Sequence, residues 1–226
     1  MTDTTAPPSS TGPAWSRHVW RGLADLFVAA VLVVPFVLIN RAFSLATQSM
    51  DETFHMLLRF SALMGISLIF LQIMTGAFRP VLRRIFAPEA LRVFHKGFGL
   101  AGLGFLILHF LFLLHGIRDH WAVLNHGSFL LGPVVLTFLT VTVVAALLLG
   151  RLPPVVWIRL HVLNYPLFVV GAVHGLAIGT QTHTLAARLV FAVYLALALT
   201  GLIYRASSPV WRKRLAPSLA RVDGER

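Results

Sequence analysis

Four of the ten histidines in this 226-residue chain lie within apolar stretches, His95 and His109 in FHKGFGLAGLGFLILHF and His161 and His174 in WIRLHVLNYPLFVVGAVHG. Ionisable groups in apolar surroundings are costly, and in membrane segments they face the bundle interior and mark function. The four form two pairs, separated by thirteen and by twelve residues. Cysteine is absent, which excludes thiolate-bound metal, iron–sulfur clusters and disulfides and leaves any metal to imidazole or a few carboxylates. Neutral imidazole ligates iron, and two axial imidazoles close the coordination sphere of a haem. Such a centre suits outer-sphere electron transfer at the macrocycle edge. One buried histidine alone would read as a hydrogen-bonded core residue; the paired spacing points to ligation.

These histidines must be carried by membrane helices. The chain is 57% hydrophobic and 12% charged, with a mean hydropathy of +0.80, whereas about a quarter of a soluble domain is charged. A hydrocarbon core about 30 Å thick needs roughly 20 apolar residues in a helix. Six segments meet that need: Leu23–Ala46, Phe54–Phe78, Leu91–Ile117, Phe129–Leu149, Val156–Ile178 and Leu185–Tyr204. The expected fold is therefore an all-α integral membrane protein, a six-helix bundle over residues 17–205. Residues 1–16, rich in Thr, Ser and Pro, read as a disordered tail, and residues 206–226 as a basic tail. The first span follows a polar stretch and lacks a small-residue cleavage site, so it reads as a span and not as a signal peptide.

The formal charge of +11 does not indicate nucleic acid, because the basic residues fall between apolar segments and not on one patch. With six spans, fifteen of the nineteen Lys and Arg residues lie on one side; only Arg41, Arg59, Arg118 and Arg188 lie on the other. By the positive-inside rule both termini are expected in the cytoplasm of a multi-pass plasma (inner) membrane protein.

Spans three and five then run in the same direction, and their histidines pair by order. His95 is expected opposite His161 near the cytoplasmic surface, and His109 opposite His174 near the outer one, at levels about 20 Å apart. The fourteen-residue step from His95 to His109 returns to within about 40° of one helix face. The thirteen-residue step from His161 to His174 ends about 140° away on an ideal helix; Pro166 is a source of a kink that would alter this. Gly97, Gly99, Gly102 and Gly104, and Gly171, Gly175 and Gly179, would either let a flat macrocycle approach the backbone or serve close helix–helix contact. Gly97, Gly99 and Gly102 also spell GxGxxG, but inside an apolar helix with no preceding strand, so a dinucleotide site is not expected.

His-x13-His on span three and His-x12-His on span five resemble the ferric reductase-like transmembrane domain, the membrane part of ferric reductases and NADPH oxidases. The resemblance covers about Phe54 to Tyr204, with LIYR at the end of span six as weaker support. It implies two b haems, ligated by His95, His161, His109 and His174, and electron flow from the cytoplasm outward. Members of that family receive electrons from a flavin domain that oxidises NAD(P)H. Here 22 residues follow Tyr204, so a separate cytoplasmic flavin reductase or another donor is expected, and flavin enters only through that partner. The chain is also similar, in length and in W-x-R-L-H, to the haem subunit of a methionine sulfoxide reductase system, which implies a periplasmic acceptor protein. His95 favours the two-haem relative.

Arg92, Lys96 and Arg159 are candidates to receive the propionates of the inner haem, and Arg59 and Arg188 those of the outer one; positive-inside bias or snorkelling would also account for them. Arg59 resembles by position an arginine beside the oxygen-reducing edge of NADPH oxidases. His55, His115, His120, His126 and His183 fall at the outer surface, as solvated groups or as ligands for ferric or cupric substrate. Asp25 marks the interface. The reading from a different class is a transporter whose histidines bind protons or metal without haem.

Overall fold

Long apolar runs satisfy their backbone polar groups inside a bilayer by coiling on themselves. The computed structural model describes residues 14–40, 50–116, 127–148 and 151–207, and among these there is no strand. The helices are α1 (Ala14–Asn40), α2 (Met50–Ala77), the one-turn α3 (Arg79–Leu82), α4 (Pro88–Gly116), α5 (Leu131–Leu147), α6 (Pro154–Val162), α7 (Asn164–Ile178) and α8 (Leu185–Ser207), with a 3-10 turn at Thr180–His183.

Among the described residues five segments are long and apolar enough to cross a membrane: His18–Ile39, Thr53–Ala77, Pro88–His115, Val155–Ile178 and Leu185–Ser207. The expected fourth span differs. Its helix, α5, has 17 residues and rises about 25 Å, a few Å short of the hydrocarbon core. A turn over residues 127–130 takes up the N-terminal end of the expected segment. At the chain's start, α1 begins at Ala14, within the tail expected to be disordered. Residues 1–13, 41–49 and 208–226 lie outside the described residues, as do Arg41, Arg118, His120 and His126.

The expected fifth span is two helices, α6 and α7, divided at Leu163. The cause lies three residues further on. Pro166 has no N–H to donate to Val162, and its ring collides with that carbonyl, so the break falls one turn before the proline. Leu163 N is shared between Arg159 O at 3.3 Å and Leu160 O at 3.2 Å, and Leu167 N resumes the ladder on Leu163 O. Other boundaries follow local chemistry. Pro154 opens α6 at a position where no N–H is needed. Thr184 caps α8, its hydroxyl accepting from Ala187 N at 3.3 Å.

Helix α2 is the centre of the bundle, packing most extensively against α4 and also against α1, α7 and α8. Its Phe70 is fully buried and stacks on Tyr194 of α8, with ring centres 4.1 Å apart and planes within 7°; Tyr194 in turn shares a hydrogen bond with Ser67 at 3.2 Å. Leu, Val and Phe side chains of α1, α4, α5 and α8 cover the outside, as the lipid-facing surface of a membrane bundle requires. Replacing Phe70 by Ala should cost about 3 kcal/mol or more of stability, read as a lower thermal unfolding midpoint in detergent; an unchanged midpoint would show that this stack is not the packing centre.

Candidate functional site

Imidazole buried among apolar groups must place its N–H on an acceptor, and α2 supplies two. His95 Nδ1 lies 3.0 Å from the backbone oxygen of Gln72, and His109 Nδ1 lies 3.0 Å from that of Leu58. The two acceptors are fourteen residues apart on α2, the same step that separates His95 from His109 on α4. Antiparallel helices with equal steps keep both contacts in register, because the angular drift and the rise are the same on each. Each carbonyl also takes a hydroxyl from three residues on: Ser61 Oγ reaches Leu58 O at 3.0 Å, and Thr75 Oγ1 reaches Gln72 O at 2.9 Å. Thr75 Oγ1 lies 3.3 Å from His95 Nδ1 as well.

The close approach of α2 and α4 depends on glycine. A Cβ at Gly99 would fall 2.8 Å from the amide nitrogen of Gln72, and one at Gly102 would fall 2.8 Å from Ile69. Those two glycines serve helix contact, whereas a Cβ at Gly97 or Gly104 would meet nothing within 4 Å. Gly76 of α2 gives His95 its place, since a Cβ there would lie 3.1 Å from the ring.

His174 is seated by α5. Its Nδ1 lies 2.8 Å from Ser128 O, in the turn that precedes that helix, and a Cβ at Gly132 would come within 2.9 Å of its Nε2. His109, His174 and Gly132 line one cavity of about 770 Å³, within the range of about 300–1,000 Å³ found for small-molecule and cofactor pockets. Its walls are mainly Leu, Ile and Phe; His55, Arg59 and His115 add polar groups. His115 stacks on Phe54 with ring centres 4.5 Å apart. At the C-terminal end of α7, Gly175 O accepts both the Gly179 N–H and the Thr182 hydroxyl, each at 2.9 Å.

The other pair is closed. His95 and His161 have ring centres 5.6 Å apart at 64°, and the space bordering them is about 10 Å³. Imidazole–metal bonds are about 2 Å, so two such rings on opposite sides of one metal would stand about 6 Å apart. His161 also stacks on Trp157, at 4.9 Å and 12°. Only Asn164 borders both spaces among the described residues, and it is held by Thr142 at 2.7 Å.

The arginines divide. Arg59 lines the large cavity. Arg92, Lys96 and Arg159 are exposed and border neither space, whereas Arg205 borders the smaller one with Gln72 and Tyr165. Arg188 reaches the backbone oxygen of Thr182 at 3.3 Å, and His183 is exposed. Gly132, Ser128 and Gln72 carry no motif by which sequence reasoning could have selected them, whereas Tyr165 and Arg205 fall inside the stretches WIRLHVLNYPLFVVGAVHG and LIYR without a role of their own. The repeat of Leu58 and Ser61 in Gln72 and Thr75 was a legible signal once the fourteen-residue step was known.

The chain matches no protein-family model, no curated protein and no solved structure. Its site is therefore read from its own geometry.

With a carbonyl oxygen beside each Nδ1, His95, His109 and His174 should be protonated there and carry the lone pair on Nε2. Nitrogen-15 spectra of the histidine-labelled apoprotein should give the Nδ1–H tautomer for these three. Nε2–H signals from His109 or His174 would contradict the anchoring.

Proposed function

We propose that this protein is a haem b-binding membrane subunit of an oxidoreductase, similar to the ferric reductase-like transmembrane domain, that carries electrons from a donor on its basic face to an acceptor on the opposite face. In this reading α5 crosses the bilayer as the fourth of six spans and both termini are cytoplasmic. The observation that carries it is the shared design of the histidines: three of the four bury an Nδ1 against a backbone oxygen. That arrangement fixes the tautomer and ring orientation of metal-ligating histidines and raises their basicity.

The residues fit a porphyrin best at the His109–His174 level. Two anchored imidazoles there line a cavity of about 770 Å³ with apolar walls, and Arg59 and His55 are placed to receive anionic substituents. At the His95–His161 level the rings stand near the spacing of two ligands on one metal, and the neighbouring side chains must part to admit a macrocycle. Haem held by these imidazoles would supply a one-electron couple. The chain's own work is to hold the imidazoles, exclude water with Leu, Ile and Phe, and keep Asn164, the one polar side chain bordering both spaces, fixed on Thr142.

The difference in free space between the levels favours a second reading, a one-haem subunit donating to a periplasmic partner such as a methionine sulfoxide reductase. Haem content separates the two. The purified protein should show sharp b-type bands in a reduced-minus-oxidised spectrum and a haem-to-protein ratio near two; a ratio near one, lost with His109→Ala and kept with His95→Ala, selects the one-haem subunit. Absence of haem after expression with ample haem supply would sink both and leave a histidine-dependent transporter.

Gly132→Ala provides a sharper check of geometry. The added methyl group should displace His174 and lower haem occupancy at the His109–His174 level several-fold, while Gly104→Ala, which meets nothing within 4 Å, should leave the spectrum unchanged.

A further inference from the structure

Helix α2 is surrounded by α1, α4, α7 and α8, so the chain that follows it emerges at the middle of one end of the bundle and not among the lipid-facing helices. From Phe78 to Leu91 that chain is a run of hydrogen-bonded turns. Phe78 O takes the N–H groups of Val81 and Leu82, Leu82 O those of Ile85 and Phe86, and Ala87 O that of Leu91, at 2.8 to 3.2 Å. Phe78 stacks on Tyr204 of α8 with ring centres 5.5 Å apart. The Phe86 ring lies 5.8 Å from the guanidinium of Arg21 of α1 and meets Phe94 of α4 edge-on. The connection is thus pinned to three helices and is a built surface.

Arg79, Arg83 and Arg84 stand exposed on it. The exposed cations around them are Arg21, Arg92, Lys96, Arg151 and Arg159, against Asp25 and Glu89 as the exposed carboxylates of this end among the described residues. Positive-inside bias accounts for the sign of the whole end. It does not account for three arginines at its centre, where the helices around α2 stand between them and the surrounding lipid headgroups. Such a cluster needs its counter-charge from the water side, and it attracts and orients an acidic surface. We propose that Arg79, Arg83 and Arg84 are the centre of a docking surface for a soluble redox protein with an acidic face; that this partner delivers electrons rests on the haem-binding reading above. Their guanidiniums offer forked donors to its carboxylates, and Val81, exposed on the same turn, adds an apolar contact between them. Gly76, against which the His95 ring lies, precedes Arg79 by three residues, so a partner seated here stands about one helical turn from the inner histidine pair.

The competing source of counter-charge is anionic lipid. The full chain in phosphatidylcholine nanodiscs, titrated with dye-labelled flavodoxin as a small acidic one-electron flavoprotein, distinguishes the two. Binding should weaken at least tenfold between roughly 0.01 and 0.15 M salt, as the Debye length falls from about 30 Å to about 8 Å. Arg83→Glu/Arg84→Glu should weaken it by about tenfold or more and slow haem reduction by reduced flavodoxin in step, with haem content and the dithionite-reduced spectrum unchanged. The same charge change in Arg151→Glu/Arg159→Glu, at the rim on α6 and the turn before it, should weaken binding by about threefold or less. Equal loss from the two pairs, or none from either, overturns the central docking surface. So does a fall in the phosphatidylglycerol that the purified protein retains on Arg83→Glu/Arg84→Glu with flavodoxin binding unchanged, which assigns the arginines to lipid. If the reversed pair does not accumulate in the membrane, Arg83→Gln/Arg84→Gln takes its place. Binding that follows this pattern in a protein that takes up no haem overturns the electron-transfer reading and leaves the docking surface standing.

Discussion

Everything in this bundle follows from the need of a neutral imidazole, buried away from water, to give its N–H to an acceptor. In lipid the helix backbone is the only plentiful source of oxygen, and a carbonyl already bonded within its helix has a second lone pair to offer. Helix α2 offers two such oxygens, Leu58 O and Gln72 O, to His109 and His95. That demand explains why α2 is the most buried helix and why α4 lies closely against it.

Close approach then sets the small residues. Gly99 and Gly102 admit Gln72 and Ile69, Gly76 admits His95, and Gly132 admits His174. A Cβ at any of these positions would crowd those side chains and require them to shift. The glycines of α4 therefore do not form one functional class: Gly99 and Gly102 are consumed in helix packing, and Gly97 and Gly104 lie open. At about 100° per residue Gly99 and Gly102 share one face of α4 and Gly97 and Gly104 lie on the roughly opposite one, so the split follows once the face turned to α2 is known.

The two histidine levels differ because α6 and α7 are separate. Pro166 breaks the fifth segment at Leu163, so the ideal-helix angle between His161 and His174 does not apply across it. His161 closes on His95 between Trp157 and the α4 ring, whereas His174 is drawn to the turn before α5 and shares an open cavity with His109. The turn before α5 matters here: Ser128 O accepts from Leu131 N at 3.3 Å and offers its other lone pair to the His174 ring at 2.8 Å.

By itself the sequence determined the class of the molecule and its candidate chemistry. Apolar runs of span length compel helices, because lipid leaves the backbone no other partner, and imidazoles repeated within them are too costly to be incidental. Positions such as His95 and His174 were legible for that reason. Their surroundings were not. Which carbonyl receives each ring, which glycine yields to it, and which of several arginines turns inward are decided by contacts between residues distant in the chain. Surface position and burial read alike in a local pattern, so the sequence does not separate the exposed Arg92 and Arg159 from the half-buried Arg205. The fourth and fifth segments stand between these cases: their apolar length was plain, but where each helix stops depended on a proline's missing donor and on a turn whose oxygen another helix uses.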